Sequence, residues 1–193
     1  SWRQGVREVA RQLFSKALWW SDSSRADYRL VIANPAVLMS LAPLLASRVA
    51  LTTFLFFALH ETFGSAPSAL ESAPGWFVVG AFTGFQFLLD DASRYVVHRT
   101  LHQVRWLWSF HKVHHCAEVL TPITVLRSHP VEAVLFGMRS ALTQAISISL
   151  FVYLFGDKVT LLSVFGVQLF LFAFNVFGSN LRHSPIPVSY GML

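Results

Sequence analysis

Six of the chain's eight histidines lie within a stretch of 32 residues, and their spacing is that of a metal site. His98 and His102 are four residues apart, whereas His111, His114 and His115 form an H-x-x-H-H sequence. Residues three or four apart share one face of a helix, so each group can direct imidazoles at a common ion. Five imidazoles within eighteen residues exceed what ordinary packing requires, and we predict that they bind metal.

The type and number of these ligands indicate which metal they bind. Imidazole suits zinc, copper and iron. A structural zinc ion takes four ligands in a closed tetrahedron, so five or more histidines fit two ions better than one. A site without thiolate favours a redox metal that leaves positions open for O2. We therefore predict two iron ions as cofactor and O2 as co-substrate, with zinc as a substitute in purified protein.

The composition of the chain is that of a membrane protein. Hydrophobic residues make up 54% of it and charged residues 13%, whereas about 25% of the residues in a soluble domain are charged. The net charge is +5, but the basic residues lie mostly between apolar stretches. This pattern fits loops that face anionic headgroups, and we predict a membrane partner and no nucleic acid. The single cysteine, Cys116, excludes an internal disulfide and a cysteine-rich zinc module.

Residues 1–28 are predicted to form an amphipathic helix in the membrane interface, followed by a joint. Arg3, Arg7 and Arg11 line one face of this helix, apolar residues line the other, and two tryptophans end it. Ser21–Asp27 is the predicted polar joint. Residues 29–193 are then predicted to form one membrane domain.

The elements that must position the histidines are apolar stretches long enough to form helices in a bilayer. The first stretch, Leu30–Phe63, is either one span with a long continuation or two short re-entrant pieces. The second stretch is predicted to continue past Asp90 and Asp91 as one helix that carries His98 and His102. Gly156–Lys158 is predicted to form a tight turn between the third and fourth stretches. The four stretches are Leu30–Phe63, Trp76–Leu89, Val131–Phe155 and Val159–Phe177. The predicted fold is all-α, an integral membrane bundle of about four helices under a histidine-rich cap.

The distribution of positive charge predicts which side of the membrane the histidines face. The loop Gly64–Gly75 carries only one charged residue, Glu71, whereas five basic residues surround the histidines: Arg94, Arg99, Arg105, Lys112 and Arg127. Loops rich in lysine and arginine face the cytoplasm. We therefore predict a multi-pass protein whose histidine cluster is cytoplasmic.

The chain resembles the fatty acid hydroxylase/sterol desaturase superfamily of membrane di-iron oxygenases. The resemblance covers roughly Trp76 to Ser184. It rests on four segments: D-D-A-S-R-Y-V-V-H-R-T-L-H (Asp90 to His102), W-S-F-H-K-V-H-H (Trp108 to His115), L-T-P-I-T-V-L-R-S-H-P-V-E (Leu120 to Glu132) and N-L-R-H-S (Asn180 to Ser184). Together and in this order these elements are highly specific.

The resemblance implies an O2-dependent hydroxylase or desaturase that attacks a C–H bond of a lipid. It implies that the metal ligands are His98, His102, His111, His114 and His115, joined by His183. The electrons must come from an external donor, because nothing in the chain resembles a flavin or nicotinamide site and we predict no nucleotide-binding residues.

The chain departs from the superfamily pattern at its C-terminal end. The superfamily has a further H-x-x-H-H sequence after the N-L-R-H-S region, and this chain ends at Leu193 before any such element. We expect the natural protein to continue, so that the membrane domain is C-terminally incomplete and residues 1–193 alone are inactive. The alternative is a degenerate, non-catalytic member that binds metal.

Four further residues are candidates for supporting the ligands. Asp91 lies seven residues before His98 and could orient its imidazole, or pair with Arg94 instead. His129 either supports a ligand or starts the helix that follows it. The remaining two candidates are Glu132 and Asn180.

Two other classes of protein compete with this interpretation. A b-type cytochrome would place isolated axial histidines within different spans, and a zinc-dependent structural or transport protein would carry ionisable residues near the middle of several spans. His60 lies beside Glu61 at the far end of the first stretch and is predicted not to be a ligand. Arg139 is the one charge within the third stretch, where it could snorkel or face the bundle.

Overall fold

The computed structural model describes residues 11, 14–40, 47–66, 70, 72–119 and 121–182. Within these ranges the chain is helical and contains no strand. The predicted all-α class is therefore confirmed.

Long α-helices connected by short turns form the described part of the chain. They are α1 (Lys16–Trp19), α2 (Asp22–Ser40), α3 (Ser47–Phe63), α4 (Gly75–Gln103), α5 (Arg105–His115), α6 (Pro130–Phe155) and α7 (Leu161–Arg182), with 3₁₀ helices at Pro122–Leu126 and Gly156–Lys158. Helix α4 is the continuous helix that the sequence predicts between the second apolar stretch and the first histidine pair. The turn predicted at Gly156–Lys158 is also confirmed; Gly156 has φ +59°, a conformation that favours glycine.

Two predictions near the N-terminus need correction or stay open. The polar joint predicted over Ser21–Asp27 is wrong, because α2 begins at Asp22 and continues through it. Burial explains the error: Ser24 and Asp27 are fully buried in the folded protein, whereas polar residues in a joint would face water. In the described part of the first apolar stretch lie the C-terminal half of α2 and the whole of α3. Most of the predicted interfacial helix, residues 1–10, 12 and 13, lies outside the described residues.

Helix α6 is the central element, since it packs against α2, α3, α4 and α5. The core lies where α4, α6 and α7 meet, and Phe82 and Phe151 form its centre with ring centroids 5.3 Å apart. The remaining buried core residues are Val78, Phe155, Val167 and Leu171. This core packs the C-terminal end of α6 against α4 and α7.

A buried ion pair joins α4 and α6 on the side of the core nearer the histidines. Arg139 is 8% exposed and its Nη2 lies 2.8 Å from Oδ1 of Asp90. Its Nη1 donates to the carbonyl of Asp90 and to Oγ of Ser93. Arg139 therefore faces the bundle, which decides between the two orientations that the sequence allowed.

The C-terminal end of α6, which carries the core, also contacts α3. The His60 ring packs edge-on against Tyr153 with centroids 4.8 Å apart, and the Tyr153 hydroxyl donates to the carbonyl of Gly64. Twenty-one residues of α6 separate Tyr153 from Glu132, a distance of about 30 Å along the helix. His60 is thus remote from the described histidines near Glu132, as predicted.

Large apolar side chains on the outer faces of the helices are exposed. Examples are Phe54 and Phe57 on α3, Trp76 and Phe77 on α4, and Leu161, Phe165 and Phe172 on α7. In the described part of the chain, one helix, Pro130–Lys158, is long and apolar enough to cross a membrane. A shorter apolar segment, Leu161–Asn175, lies within α7.

Helices α4 and α5 meet at a sharp break at Val104. This residue is extended, with φ −92° and ψ 114°, and its N–H caps α4 by donating to the carbonyl of Thr100. Its own carbonyl accepts from the N–H of Trp108 and so begins α5. The chain therefore folds back at this point, and α5 packs against α4.

Candidate metal centre

Four imidazoles converge where α5 folds back on α4. They belong to His98 and His102 of α4 and to His111 and His115 of α5, and one ring nitrogen of each lies within 4.8 Å of those of the other three. The consecutive Nε2–Nε2 distances are 3.2 Å (98–102), 3.3 Å (102–111) and 3.2 Å (111–115). Within the described residues, this is the group whose ligand atoms could hold one ion.

These nitrogen–nitrogen distances fit coordination of a common ion. A metal–nitrogen bond is about 2.0–2.1 Å long, so two nitrogens on one ion lie about 3.0 Å apart at a right angle and about 3.4 Å apart at a tetrahedral angle. The observed separations fall between these values. The donor set therefore fits a transition metal that accepts imidazole ligands.

A shared cation accounts for the convergence better than hydrogen bonds between the rings do. A neutral imidazole nitrogen either carries a proton and donates or carries a lone pair and accepts. Nε2 of His102 lies at hydrogen-bond distance from Nε2 of both His98 and His111. One nitrogen cannot donate to one ring and accept from the other, so hydrogen bonds would have to be shared between rings, whereas a common cation satisfies every lone pair at once.

Glu132 fixes the orientation of His111. Oε1 of Glu132 lies 3.0 Å from Nδ1 of His111, and both side chains are buried. The carboxylate accepts, so Nδ1 carries the proton and Nε2 presents its lone pair to the other imidazoles. Glu132 thus has the orienting contact that the sequence analysis considered for it.

His111 stays neutral in the folded protein. Burial lowers its pKa from 6.5 to about 3, and the neighbouring imidazoles of His98, His115, His102 and His114 lower it as well. Histidine must be neutral to bind metal. The environment of His111 therefore keeps it ready to bind metal at neutral pH.

His114 lies beside the four converging imidazoles rather than among them. Its ring stacks on that of His111 with centroids 5.6 Å apart, and its Nδ1 donates to the carbonyl of Arg127 across 3.0 Å. With the proton on Nδ1, the lone pair is on Nε2. His114 is thus oriented by a different partner from the one that orients His111.

The other candidate residues have different outcomes. His129 starts α6: its Nδ1 accepts from the N–H of Val131 across 3.1 Å, so the predicted helix-starting role is confirmed and the supporting role stays a prediction. Asp91 is exposed, and the carboxylate that contacts Arg94 at 3.3 Å is that of Asp90. The orienting role of Asp91 stays a prediction.

Two candidates lie at or beyond the C-terminal end of the described residues. Asn180 lies within α7. His183 lies outside the described residues. Their proposed roles as a supporting residue and a ligand stay predictions.

Two contacts near the histidines were missed by the sequence analysis. Trp108 packs its ring against His102 and His115, with centroids 5.2 and 5.5 Å apart. Its position three residues before His111 places it on the same face of α5, which is a signal the sequence contains. The buried ion pair of Arg127 with Asp27 has no comparable signal, because the two residues are one hundred positions apart.

The comparison with protein families identifies one family. The family model described as fatty acid hydroxylase matches residues 83–192, which is more than half of the chain and includes every histidine discussed here except His60. No solved structure gives a significant match to the chain.

Curated proteins give two kinds of match. Two rice proteins, from Oryza sativa subspecies indica and japonica, are named very-long-chain aldehyde decarbonylase GL1-8; each is 32% identical over 144 residues, covering 70% of this chain and 48% of its own length. A Dictyostelium discoideum protein described as a methylsterol monooxygenase is 38% identical over 56 residues, which cover 29% of this chain and 21% of that protein. The match thus spans about half the length of the rice proteins and about a fifth of the Dictyostelium protein. Because the family match covers the segments that carry the converging histidines, the chain belongs to the fatty acid hydroxylase family.

Proposed function

We propose that the protein is an O2-dependent lipid hydroxylase or desaturase with a histidine-ligated di-iron centre. The observation that carries this proposal is the convergence of four imidazoles with Nε2 separations of 3.2–3.3 Å, within a chain of the fatty acid hydroxylase family. Iron bound there would supply the activation of O2 that oxidation of an unactivated C–H bond requires. The relatives named above also carry names of oxidoreductases.

The protein's own residues hold the ligands in a fixed arrangement. His98, His102, His111 and His115 would hold the first ion, and His114 would hold the second together with His183. Glu132 keeps the proton of His111 on Nδ1, so the Nε2 lone pair stays directed at the other imidazoles. Trp108 packs against the rings of His102 and His115, both of which remain exposed to solvent.

A lipid substrate and a membrane location belong to the same proposal. The relatives are named for a very-long-chain aldehyde and a methylsterol, both of which are water-insoluble lipids. Apolar side chains are exposed along α3, α4 and α7, as a bilayer environment would require. We propose that these helices and α6 form the multi-pass bundle predicted from the sequence.

The orientation of the protein follows from its positive charges. The residues around the histidines include Arg94, Arg99 and Lys112, which the positive-inside rule assigns to the cytoplasmic face. Electrons would reach the site from an external donor at that face. The histidine cluster would therefore be cytoplasmic and accessible to a soluble or membrane-bound reductase.

A b-type cytochrome is disfavoured by the same geometry. A porphyrin must lie between its two axial imidazoles, and Nε2 atoms 3.2–3.3 Å apart leave no space for one. A non-catalytic metal protein shares the ligands and differs only in turnover.

The experiment that tests the proposal measures iron and oxygen incorporation together. The intact natural protein is purified in lipid nanodiscs, its iron is quantified, and the protein is incubated with a reductant, ¹⁸O2 and a mixture of sterols, fatty acids and long-chain aldehydes. Hydroxylation places ¹⁸O in the lipid, whereas desaturation removes two hydrogens without adding oxygen. We expect two irons per chain and an iron-dependent lipid product.

Matched histidine variants decide whether the cluster is responsible. His111→Ala should lose iron and product, while His60→Ala, about 30 Å away along α6, should keep both. An iron-loaded protein that yields no oxidised lipid would favour the non-catalytic alternative. Unchanged turnover in His111→Ala would refute the proposed site.

A further inference from the structure

A single backbone carbonyl determines which nitrogen of His114 can bind metal. The carbonyl oxygen of Arg127 lies 3.0 Å from Nδ1 of His114. A carbonyl oxygen can only accept a hydrogen bond, so Nδ1 carries the proton and Nε2 carries the lone pair. Because only the lone-pair nitrogen of a neutral imidazole is a ligand, the position of this carbonyl selects Nε2.

The side chain of Arg127 anchors this carbonyl to α2. Its guanidinium is buried, with Nε paired to Oδ1 of Asp27 and Nη2 donating to Oγ of Ser23 across 2.9 Å. The other oxygen of Asp27 accepts from the hydroxyl of Thr124 across 2.7 Å. Both oxygens of this fully buried carboxylate are therefore used to hold the segment that contains Arg127.

A second contact from α2 holds the next residue. Nδ2 of Asn34 donates to the carbonyl of Ser128 across 3.0 Å and lies 3.1 Å from its hydroxyl. Asp27 and Asn34 are seven residues apart, so they lie on the same face of α2. Helix α2 thus binds both Arg127 and Ser128, the two residues joined by the peptide bond that contains the Arg127 carbonyl.

We propose that Asp27 is a positioning residue for the metal centre. Through Arg127 it holds the carbonyl that keeps the proton of His114 on Nδ1 and so presents Nε2 as a ligand. The inference rests on the proposed di-iron function, in which His114 supplies a ligand beyond the four converging imidazoles. It assigns to α2 a part in the site, although α2 carries no histidine.

The tautomer of His114 can be measured without any metal. The intact natural protein is labelled with ¹⁵N-histidine, stripped of metal and reconstituted in lipid nanodiscs, and the His114 signals are identified by their loss in His114→Gln. We expect a protonated Nδ1 in the natural protein and a substantial population of the Nε2-protonated form in Asp27→Ala. An unchanged tautomer in Asp27→Ala overturns the proposal.

Two control variants separate this effect from general loosening. Asp22→Ala removes an exposed carboxylate from the first turn of the same helix, where it pairs with Arg25 at 3.7 Å. Asp90→Ala breaks the other buried pair, with Arg139, which makes no contact with the Arg127 segment. Both should keep the tautomer of the natural protein, and an equal shift in Asp90→Ala would overturn the proposal.

If Asp27→Ala does not fold, the tautomer of His114 can be measured in a more conservative variant. Asp27→Asn keeps the side-chain volume and one accepting oxygen but removes the charge that pairs with Arg127. We expect a smaller rise of the Nε2-protonated form. Full retention of the Nδ1 proton in a folded Asp27→Asn would then overturn the proposal.

Metal titration gives an independent second measurement. Cobalt(II) is added to the metal-free protein, and its visible absorption reports each equivalent bound. In Asp27→Ala we expect the second equivalent to bind 10–100-fold more weakly and the first to be unchanged. Equal weakening of both would overturn the proposal. If the natural protein binds fewer than two equivalents, the di-iron function fails, whereas the tautomer measurement still tests the role of Asp27.

Discussion

Nδ1 of His111 donates a hydrogen bond to Oε1 of Glu132 across 3.0 Å, and the two buried side chains join α5 to the first turn of α6. This contact holds α5, and with it the fold-back onto α4, against the central helix α6. It also explains how a ligand on a short helix is held rigidly, because its ring can no longer rotate without losing a buried hydrogen bond.

Replacing Glu132 by alanine should weaken metal binding 10–100-fold, because the partner that orients His111 is lost. Competition with a chelator of known affinity measures this loss. Glu132→Gln keeps an accepting oxygen and should have a smaller effect. The matched control is Glu118→Ala, which removes an exposed carboxylate; equal affinities for Glu132→Ala and the natural protein would contradict the orienting role.

Removing a converging imidazole should remove iron from the protein. His102→Ala deletes the ring whose Nε2 lies within 3.3 Å of two others, so the remaining three ligands cannot reproduce the arrangement. Iron content and turnover should fall together, and His60→Ala should match the natural protein. Iron content and turnover that are unchanged in His102→Ala would show that the convergence has no role in binding.

His111 should make the metal-free protein less stable in acid. Burial lowers the pKa of folded His111 to about 3, whereas the unfolded chain has a value near 6.5. The unfolded state therefore binds a proton that the folded state excludes. The contribution of His111 is fully present above pH 6.5 and is lost between pH 6.5 and 3, by up to about 1.4 kcal/mol per pH unit.

Thermal unfolding of the metal-free protein in nanodiscs between pH 7.5 and 5 tests this dependence. His111→Asn is the matched variant, since its amide can donate to Glu132 near the position of Nδ1 but does not titrate in this range. Its stability should fall less steeply with decreasing pH. Identical slopes would assign the acid sensitivity to other groups.

The buried pair between α4 and α6 should be sensitive to the loss of one partner. Asp90→Ala leaves the guanidinium of Arg139 buried without a carboxylate, which should reduce the free energy of unfolding by about 3–5 kcal/mol. Replacing both residues, with Arg139→Met in addition, should restore most of it because no charge remains buried. Asp157→Asn, at an exposed turn, should change little.

Denaturation in detergent compares these variants. A double variant as unstable as Asp90→Ala would show that Arg139 contributes through packing of its alkyl chain rather than through its charge. Equal stability of Asp90→Ala and the natural protein would show that Arg94 or bound water compensates fully.

Local patterns predicted most of the helices and all four converging ligands. The run from Trp76 to His102 reads as one helix because no proline interrupts it, and α4 has that form. Histidines at four-residue spacing share a helix face whichever fold surrounds them. These features depend only on residues close in sequence.

The features that the sequence did not reveal depend on residues distant in sequence. No proline or glycine marks the break at Val104, so its extended conformation arises from the packing of α5 against α4. Asp27 was assigned to a polar joint because its partner Arg127 lies one hundred positions away. Asp90 likewise could not be recognised as the partner of Arg139 before α4 and α6 were paired.

The break at Val104 has a thermodynamic consequence. In an unbroken helix, His102 and His111 would lie about 13 Å apart along the axis, whereas here their Nε2 atoms are 3.3 Å apart. An ion bound by both would cross-link α4 to α5 and would bind only the folded-back form. Free metal would then stabilise this corner by mass action, by about 1.4 kcal/mol for each tenfold rise in its concentration above the dissociation constant. The fraction of molecules with α5 folded back on α4 would therefore rise with the concentration of free metal.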